Sequence, residues 1–169
     1  MEHPIVQLAR LTIESYIRDH KLVLPPEDLS PEMKQRAGVF VSLHKNGNLR
    51  GCIGTFVATT LNVAAEVIHN AIESATRDPR FPPVTIDELA DLEISVDVLG
   101  EPKVVASAKD LDAKKYGVIV KSGGRRGLLL PDLAGVNTPE EQIAICRRKA
   151  WISEDEPVEL SRFEVRRFH

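Results

Sequence analysis

Residues 38–56, GVFVSLHKNGNLRGCIGTF, carry two alternating apolar runs on either side of a turn, which is the pattern of a β-hairpin. Val39, Val41 and Leu43 alternate with Phe40, Ser42 and His44, and Leu49, Gly51 and Ile53 alternate with Arg50, Cys52 and Gly54. Loop length selects the register. A two-residue Asn46-Gly47 turn sets Arg50 opposite Leu43 and Cys52 opposite Val41, which puts a charge on the apolar face. A three-residue loop, Lys45-Asn46-Gly47 with Gly47 left-handed at a bulge, instead pairs Leu43 with Leu49, Val41 with Gly51 and Val39 with Ile53. Leaving a buried Arg without a partner costs roughly 3–5 kcal/mol, so the three-residue loop is the expectation. Phe40, Ser42, His44, Asn48, Arg50 and Cys52 then share the other face.

Around this hairpin the chain alternates helices and strands. Residues 3–20 place Ile5, Leu8, Leu11, Thr12, Ser15 and Tyr16 at helical spacings behind Pro4, giving an amphipathic helix. Residues 24–33 hold three prolines and read as a loop or short turn. Asn62 opens a helix to about residue 77 whose stripe of Val63, Val67, Ala71 and Ala75, widened by Ala64, Ile68 and Ile72, implies burial. Asp78-Pro79-Arg80-Phe81-Pro82-Pro83 follows as a stiff loop, then a helical turn at 85–91 and a strand at 92–99 with Glu93, Ser95 and Asp97 on its wet face.

The pattern then restarts. Tyr116-Gly117-Val118-Ile119-Val120-Lys121, the turn Ser122-Gly123-Gly124 and Arg125-Arg126-Gly127-Leu128-Leu129-Leu130 echo the first hairpin in order and spacing. A helix at 138–149 and the alternating segment 158–168 complete the second round. This predicts an α+β fold, mainly antiparallel sheet covered by helices, in one domain over residues 1–169. Its two pseudo-repeats, about 38–99 and 116–168, share one core and place both hairpins in a single sheet.

The chain has 169 residues, 43% of them apolar and 28% charged, the make-up of an ordinary globular protein. Residues 1–112 hold 11 Lys/Arg against 17 Asp/Glu, and residues 113–169 hold 11 against 8, so only the C-terminal part is basic. A net charge of −3 argues against a general nucleic-acid binder. Cys52 and Cys146 are the only cysteines and show no zinc-ribbon or CxxC spacing, so they read as reduced thiols. His3, His20, His44, His69 and His169 are scattered, and no metal motif is visible. Without a signal-like start or a membrane-length apolar run, the expected location is the cytoplasm, with no membrane association.

Leu49-Arg50-Gly51-Cys52-Ile53-Gly54, with DPRFPP at 78–83 and GGRRGLLLP at 123–131, resembles the AMMECR domain family, named after a human chromosomal region. In bacteria and archaea the chain is similar to protein A of the AmmeMemoRadiSam system, beside a Memo-type protein and a radical SAM protein. The resemblance implies an α+β protein of unsettled biochemical activity with no established cofactor. It carries over onto Arg50, Gly51, Cys52 and Gly54, with Asp78, Arg80, Gly124 and Gly127 in support. Tyr116 stands where a His is expected, Asp132 where Gln is usual and Trp151 where Gly is common.

Cys52 is the candidate nucleophile, activated by Arg50 and His44 on its face; a packed, inert thiol is the competing reading. Arg50 is either a clamp for a carboxylate or phosphate or half of an internal ion pair, with Asp78 as the expected partner. Gly51 and Gly54 admit a ligand, or the next helix, close to the sheet. His69 is a weaker candidate partner for Cys52, and the Gly-rich turn at 122–127 a weaker anion site without P-loop spacing. The expected function is an accessory or enzyme-like protein of the Memo and radical SAM system. It binds a small anionic ligand or a partner's peptide between the hairpin and the 78–83 loop, with Arg80 and Phe81 as the rim. The alternative is a noncatalytic interaction or nucleic-acid-associated module contacting its partner through the basic C-terminal half.

Overall fold

A computed structural model describes residues 1–169. The chain divides into two units, Met1–Leu99 with Arg166–His169, and Gly100–Val165. In the first, helix α1 (Pro4–Asp19) starts at an N-cap His3, whose ring accepts the Ile5 N–H, and stops at a left-handed His20. It buries Ile5, Leu8, Ala9, Thr12 and Ile13, while Leu11, expected on the buried stripe, is exposed. A short helix α2 (Pro31–Lys34) follows. Strands β1 (Val39–Lys45) and β2 (Asn48–Thr55) form the hairpin, helix α3 (Val63–Thr76) is capped by Asn62, and a 3₁₀ turn (Ile86–Asp91) leads into β3 (Leu92–Leu99).

The second unit holds β4 (Lys103–Val105), β5 (Gly117–Ser122), β6 (Arg125–Leu129), helix α4 (Pro139–Lys149) and β7 (Glu159–Phe163). The last strand, β8 (Val165–Phe168), joins the first sheet. The fold is therefore α+β with two four-stranded sheets, ordered β2-β1-β3-β8 and β4-β7-β5-β6. Both are antiparallel in every pairing described. The single sheet expected from sequence does not form, because the inner strand of each hairpin takes the later strand of its own unit as second neighbour. For the same reason the segment at 158–168 breaks into β7 and β8 at Glu164, whose carbonyl accepts the Gly100 N–H. Each unit has its own apolar cluster, one built on Val39, Val41, Leu43, Val67 and Val96, the other on Val118, Val120, Leu129 and Cys146. No helix is long and apolar enough to cross a membrane.

The hairpin register departs from expectation and explains itself. Asn46 and Gly47 have φ of 51° and 76°, the values of a two-residue type I′ turn, and pair Lys45 with Asn48 and His44 with Leu49. Between His44 and Leu43 the register shifts, leaving Arg50 as the extra residue of a bulge. Leu43 then faces Gly51, Val41 faces Ile53, and Ser42 faces Cys52. The bulge keeps the charge off the apolar face without a three-residue loop.

Helix α3 rests on this hairpin at closest range. A Cβ built on Gly51 would lie 2.3 Å from the Ser74 carbonyl oxygen, so only glycine fits there without moving the helix. The Ser74 hydroxyl accepts the Ile53 N–H at 2.8 Å and lies 2.8 Å from the Val41 carbonyl, bridging the two strands. Gly127 sits the same way under the Cys146 carbonyl in the second unit, at 2.1 Å. Gly51→Ala and Gly127→Ala are each expected to destabilise the protein by about 1–3 kcal/mol through overpacking, read as a lower urea midpoint with an unchanged slope.

Candidate functional site

The face of the first sheet turned away from α3 carries Phe40, Ser42 and His44 on β1, Cys52 and Gly54 on β2, and Ser95 and Asp97 on β3. Ser42 sits between Cys52 and Ser95 in the strand register, and its hydroxyl lies 3.2 Å from the Cys52 sulfur. Gly54 opposes Phe40, whose ring occupies the space a side chain at 54 would need. Asp97, expected on a wet face, is buried under a two-pronged bond from Arg167 of β8, at 2.7 and 2.8 Å. This row of small polar groups was not legible as a unit, since it spans three strands and the β1–β2 register depends on the bulge.

The 78–83 loop closes on the open edge of β2. Asp78, with only 2% of its side chain exposed, accepts the Cys52 N–H at 2.9 Å and the Arg80 N–H at 3.0 Å. It also holds the Arg80 guanidinium through Nε at 3.0 Å and Nη2 at 2.8 Å. Arg80 Nη2 reaches back to the Cys52 carbonyl at 3.3 Å. Side chains of the loop thus satisfy both edge-facing backbone groups of Cys52, as a neighbouring strand would. The Arg80 guanidinium and the backbone donors hold the Asp78 carboxyl far below the usual carboxylate range despite its burial. Arg80 itself is 55% exposed, and its guanidinium lies 5.5 Å from the centre of the Phe81 ring.

Arg50 is engaged elsewhere. Its Nε and Nη2 donate to the two oxygens of Glu88 at 2.9 Å each, and Nη1 donates to the Pro82 carbonyl at 2.9 Å. Glu88 also caps the 3₁₀ turn through the Thr85 N–H and receives Lys45 at 3.3 Å. The internal ion pair considered for Arg50 therefore exists, with Glu88 in place of Asp78. Thr85-x-x-Glu88 is a capping-box spacing, the one sequence signal that could have singled out Glu88. Arg50 pulls the Glu88 carboxyl down to about 2.

Burial is the main influence on the Cys52 thiol and pushes its pKa up; the Ser42 hydrogen bond and the Arg80 charge oppose this, and Asp97 and Asp78 reinforce it. Arg50 is bonded instead to Glu88 and Pro82, and neither it nor His44 is among the main influences on the sulfur. His69 is exposed on α3. Cys146 is buried, bonded to the Val118 carbonyl at 3.7 Å and pushed up to about 11. At the second hairpin tip Arg125 is tied to Glu156 and to the Trp151 carbonyl. No group of three His, Cys, Asp or Glu side chains is placed to hold a metal ion.

A two-sheet α+β fold with an Arg-Gly-Cys edge strand clipped by an Asp-Pro-Arg loop defines a recognisable class of protein. The AMMECR1 family profile matches residues 6–168, and the chain belongs to that family. A protein of Thermotoga maritima is 54% identical over 99% of this chain and 98% of its own length. A Clostridium acetobutylicum protein is 49% identical over 97% of this chain, which spans only 35% of that longer relative. Among solved structures, the crystal structure of the uncharacterized protein PH0010 from Pyrococcus horikoshii matches with a TM-score of 0.84 at 34% identity, covering 96% of this chain and 88% of that one.

Two outcomes are expected. Iodoacetamide should label native Cys52 with a midpoint above the free-cysteine value of about 8.5, and Cys146 only after unfolding. Glu88 should contribute stability in full above its unfolded value of about 4.3, with that contribution lost as the pH falls through about 2. Glu88→Gln should therefore cost about 1–3 kcal/mol near neutrality and flatten the acid limb of the stability–pH curve.

Proposed function

We propose that this chain acts in the cytoplasm as an accessory or enzyme-like protein of a Memo and radical SAM system, holding an anionic group at the edge of β2. The group is a small ligand's carboxylate or phosphate, or an acidic side chain of a partner's peptide. What carries this reading is Arg80. Asp78 fixes its guanidinium from the buried side, through Nε and Nη2, while more than half of the side chain faces out. A pre-oriented, outward-facing guanidinium loses little freedom on binding an oxyanion. Phe81 supplies an apolar wall beside it, while Gly51 and Gly54 make room for the Ser74 carbonyl and the Phe40 ring. Cys52, with a thiol that burial keeps protonated near neutrality, contacts the ligand and does not attack it. Arg50 fixes the loop that carries Arg80 through Glu88 and Pro82.

We infer further that the two units descend from one duplicated hairpin–helix–strand element. Leu43 opposes Gly51 and Ile94 as Val120 opposes Gly127 and Leu160. Asn70 donates to the Val39 carbonyl and Gln142 to that of Tyr116, each four residues before the matched Leu43 or Val120. Ser74 and Cys146, four residues further along their helices, bond the carbonyls of Val41 and Val118. Positions repeated in both units serve packing. Ser42, Cys52, Asp78 and Arg80 fall against Ile119, Leu128, Ala150 and Ile152, so the polar site belongs to the first unit alone. A superposition of β1-β2-α3-β3 on β5-β6-α4-β7 that required different residue pairs would sink this inference.

Titration of the whole protein with acetate and inorganic phosphate, followed by NMR, should move the amides of Cys52, Arg80 and Phe81. Affinity should fall about tenfold, the worth of one charge-assisted bond, in Arg80→Gln, and by much less in Cys52→Ser, which keeps a small polar group at the contact. Equal binding by Arg80→Gln overturns the anion site. Failure to capture purified Memo-type and radical SAM proteins overturns the partner assignment alone.

A further inference from the structure

Helix α4 ends in a Schellman turn. The Trp151 N–H donates to the Arg148 carbonyl at 3.3 Å and the Ile152 N–H to the Arg147 carbonyl at 2.9 Å, with Trp151 left-handed at φ 57°. That position of the turn favours glycine, because a Cβ there crowds the following carbonyl. Here it carries a tryptophan with 87% of its surface exposed. The Trp151 carbonyl accepts from Arg125 and the neighbouring Ile152 is buried, so the backbone that presents the indole is tied down on both sides. Within this chain the indole buries too little surface to offset the strain beneath it.

The outer face of α4 leads up to this residue. Glu140, Ala144 and Arg148 stand four apart in the helix, are all exposed, and form one row along it. Glu140 and Arg148 are about 12 Å apart along the axis, too far to meet, and neither has an ion pair in the chain. Ala144, halfway between them, is small enough to let another helix approach closely. Acid, small residue and base in that order are the complement of the same row read backwards.

We propose that this face of α4 docks a second copy of the chain, the two helices crossing antiparallel about a two-fold axis at Ala144. A contact of this kind requires a patch that complements itself, and the row supplies one: Glu140 of each copy meets Arg148 of the other. Trp151, seven residues beyond Ala144, reaches Asn137 of the other copy, seven residues before it and exposed ahead of the helix. The indole is the anchor of the contact, the residue type that most often dominates interfaces. The face uses none of the residues assigned to anion binding in the first unit.

The test is analytical ultracentrifugation of the full chain at low ionic strength, from micromolar to millimolar concentration, with tryptophan emission followed over the same range. Trp151 is the only tryptophan, so its emission reports the contact directly. The mass should rise from monomer to dimer while the emission maximum moves to shorter wavelength. Trp151→Gly should weaken the dimer about thirtyfold, the loss of one anchor residue, and raise the melting temperature by about 2–4 °C as the strain is released. Arg148→Glu and Glu140→Arg, both exposed changes, should each leave the chain monomeric, and an equal mixture of the two variants should dimerise, because each then supplies the charges the other lacks. A wild-type chain that stays monomeric hands the face to a different protein and overturns the proposal. So does a fall in melting temperature in Trp151→Gly, which would show the indole held within its own chain, or a mixture no more associated than its components.

Discussion

The contact on which the site depends is that of helix α3 with the hairpin, where the Ser74 carbonyl meets Gly51 and the Ser74 hydroxyl ties Ile53 to Val41. No side chain separates helix from strand at that point, so β2 is fixed by contact with backbone. Asn70 adds a bond to the Val39 carbonyl and another to Thr55. Glu66, fully buried one turn earlier, is held by the hydroxyls of Thr55, Thr59 and Thr60 and by the Thr59 and Thr60 amides, which anchor the loop leaving β2. A carboxylate with that many donors stays ionised in spite of burial, and its pKa is lowered.

Two arginines, Arg50 on that strand and Arg80 on the loop clipped to its edge, take different roles. Arg50 is used up by Glu88 and Pro82 with only 13% of its side chain exposed, so it serves the architecture. Arg80 is held from one side only, by a carboxylate whose own burial prevents it from following the guanidinium outward. The same chemical group is a strut in one place and a surface cation in the other. Each guanidinium makes three bonds to the protein, so the deciding quantity is exposure, 13% of the side chain for Arg50 against 55% for Arg80.

Much of the architecture was legible. The period-two alternation located β1, β2 and β3, the Asn62 and Thr138 caps located α3 and α4, and the echo between the hairpins located the second unit. The register was not, because the bulge falls at Arg50 and not at Gly47, where it satisfies both the Asn-Gly preference and the exclusion of Arg50 from the apolar face, and no local pattern marks it there. The pairing of Arg50 with Glu88 was missed because the two lie 38 residues apart and the loop between them folds back on β2.

What the sequence determined by itself is therefore whatever depends on local period and local chemistry: strands, helices, caps, the stiff 78–83 loop and the membership that its Arg-Gly-Cys motif announced. What only the tertiary structure decided is which of those residues meet. It set Asp78 against Arg80 and the Cys52 amide, set Glu88 against Arg50, and made two sheets where one was expected. Long-range pairing depends on shape complementarity and on satisfying every buried donor at once. No window of a single sequence contains those conditions.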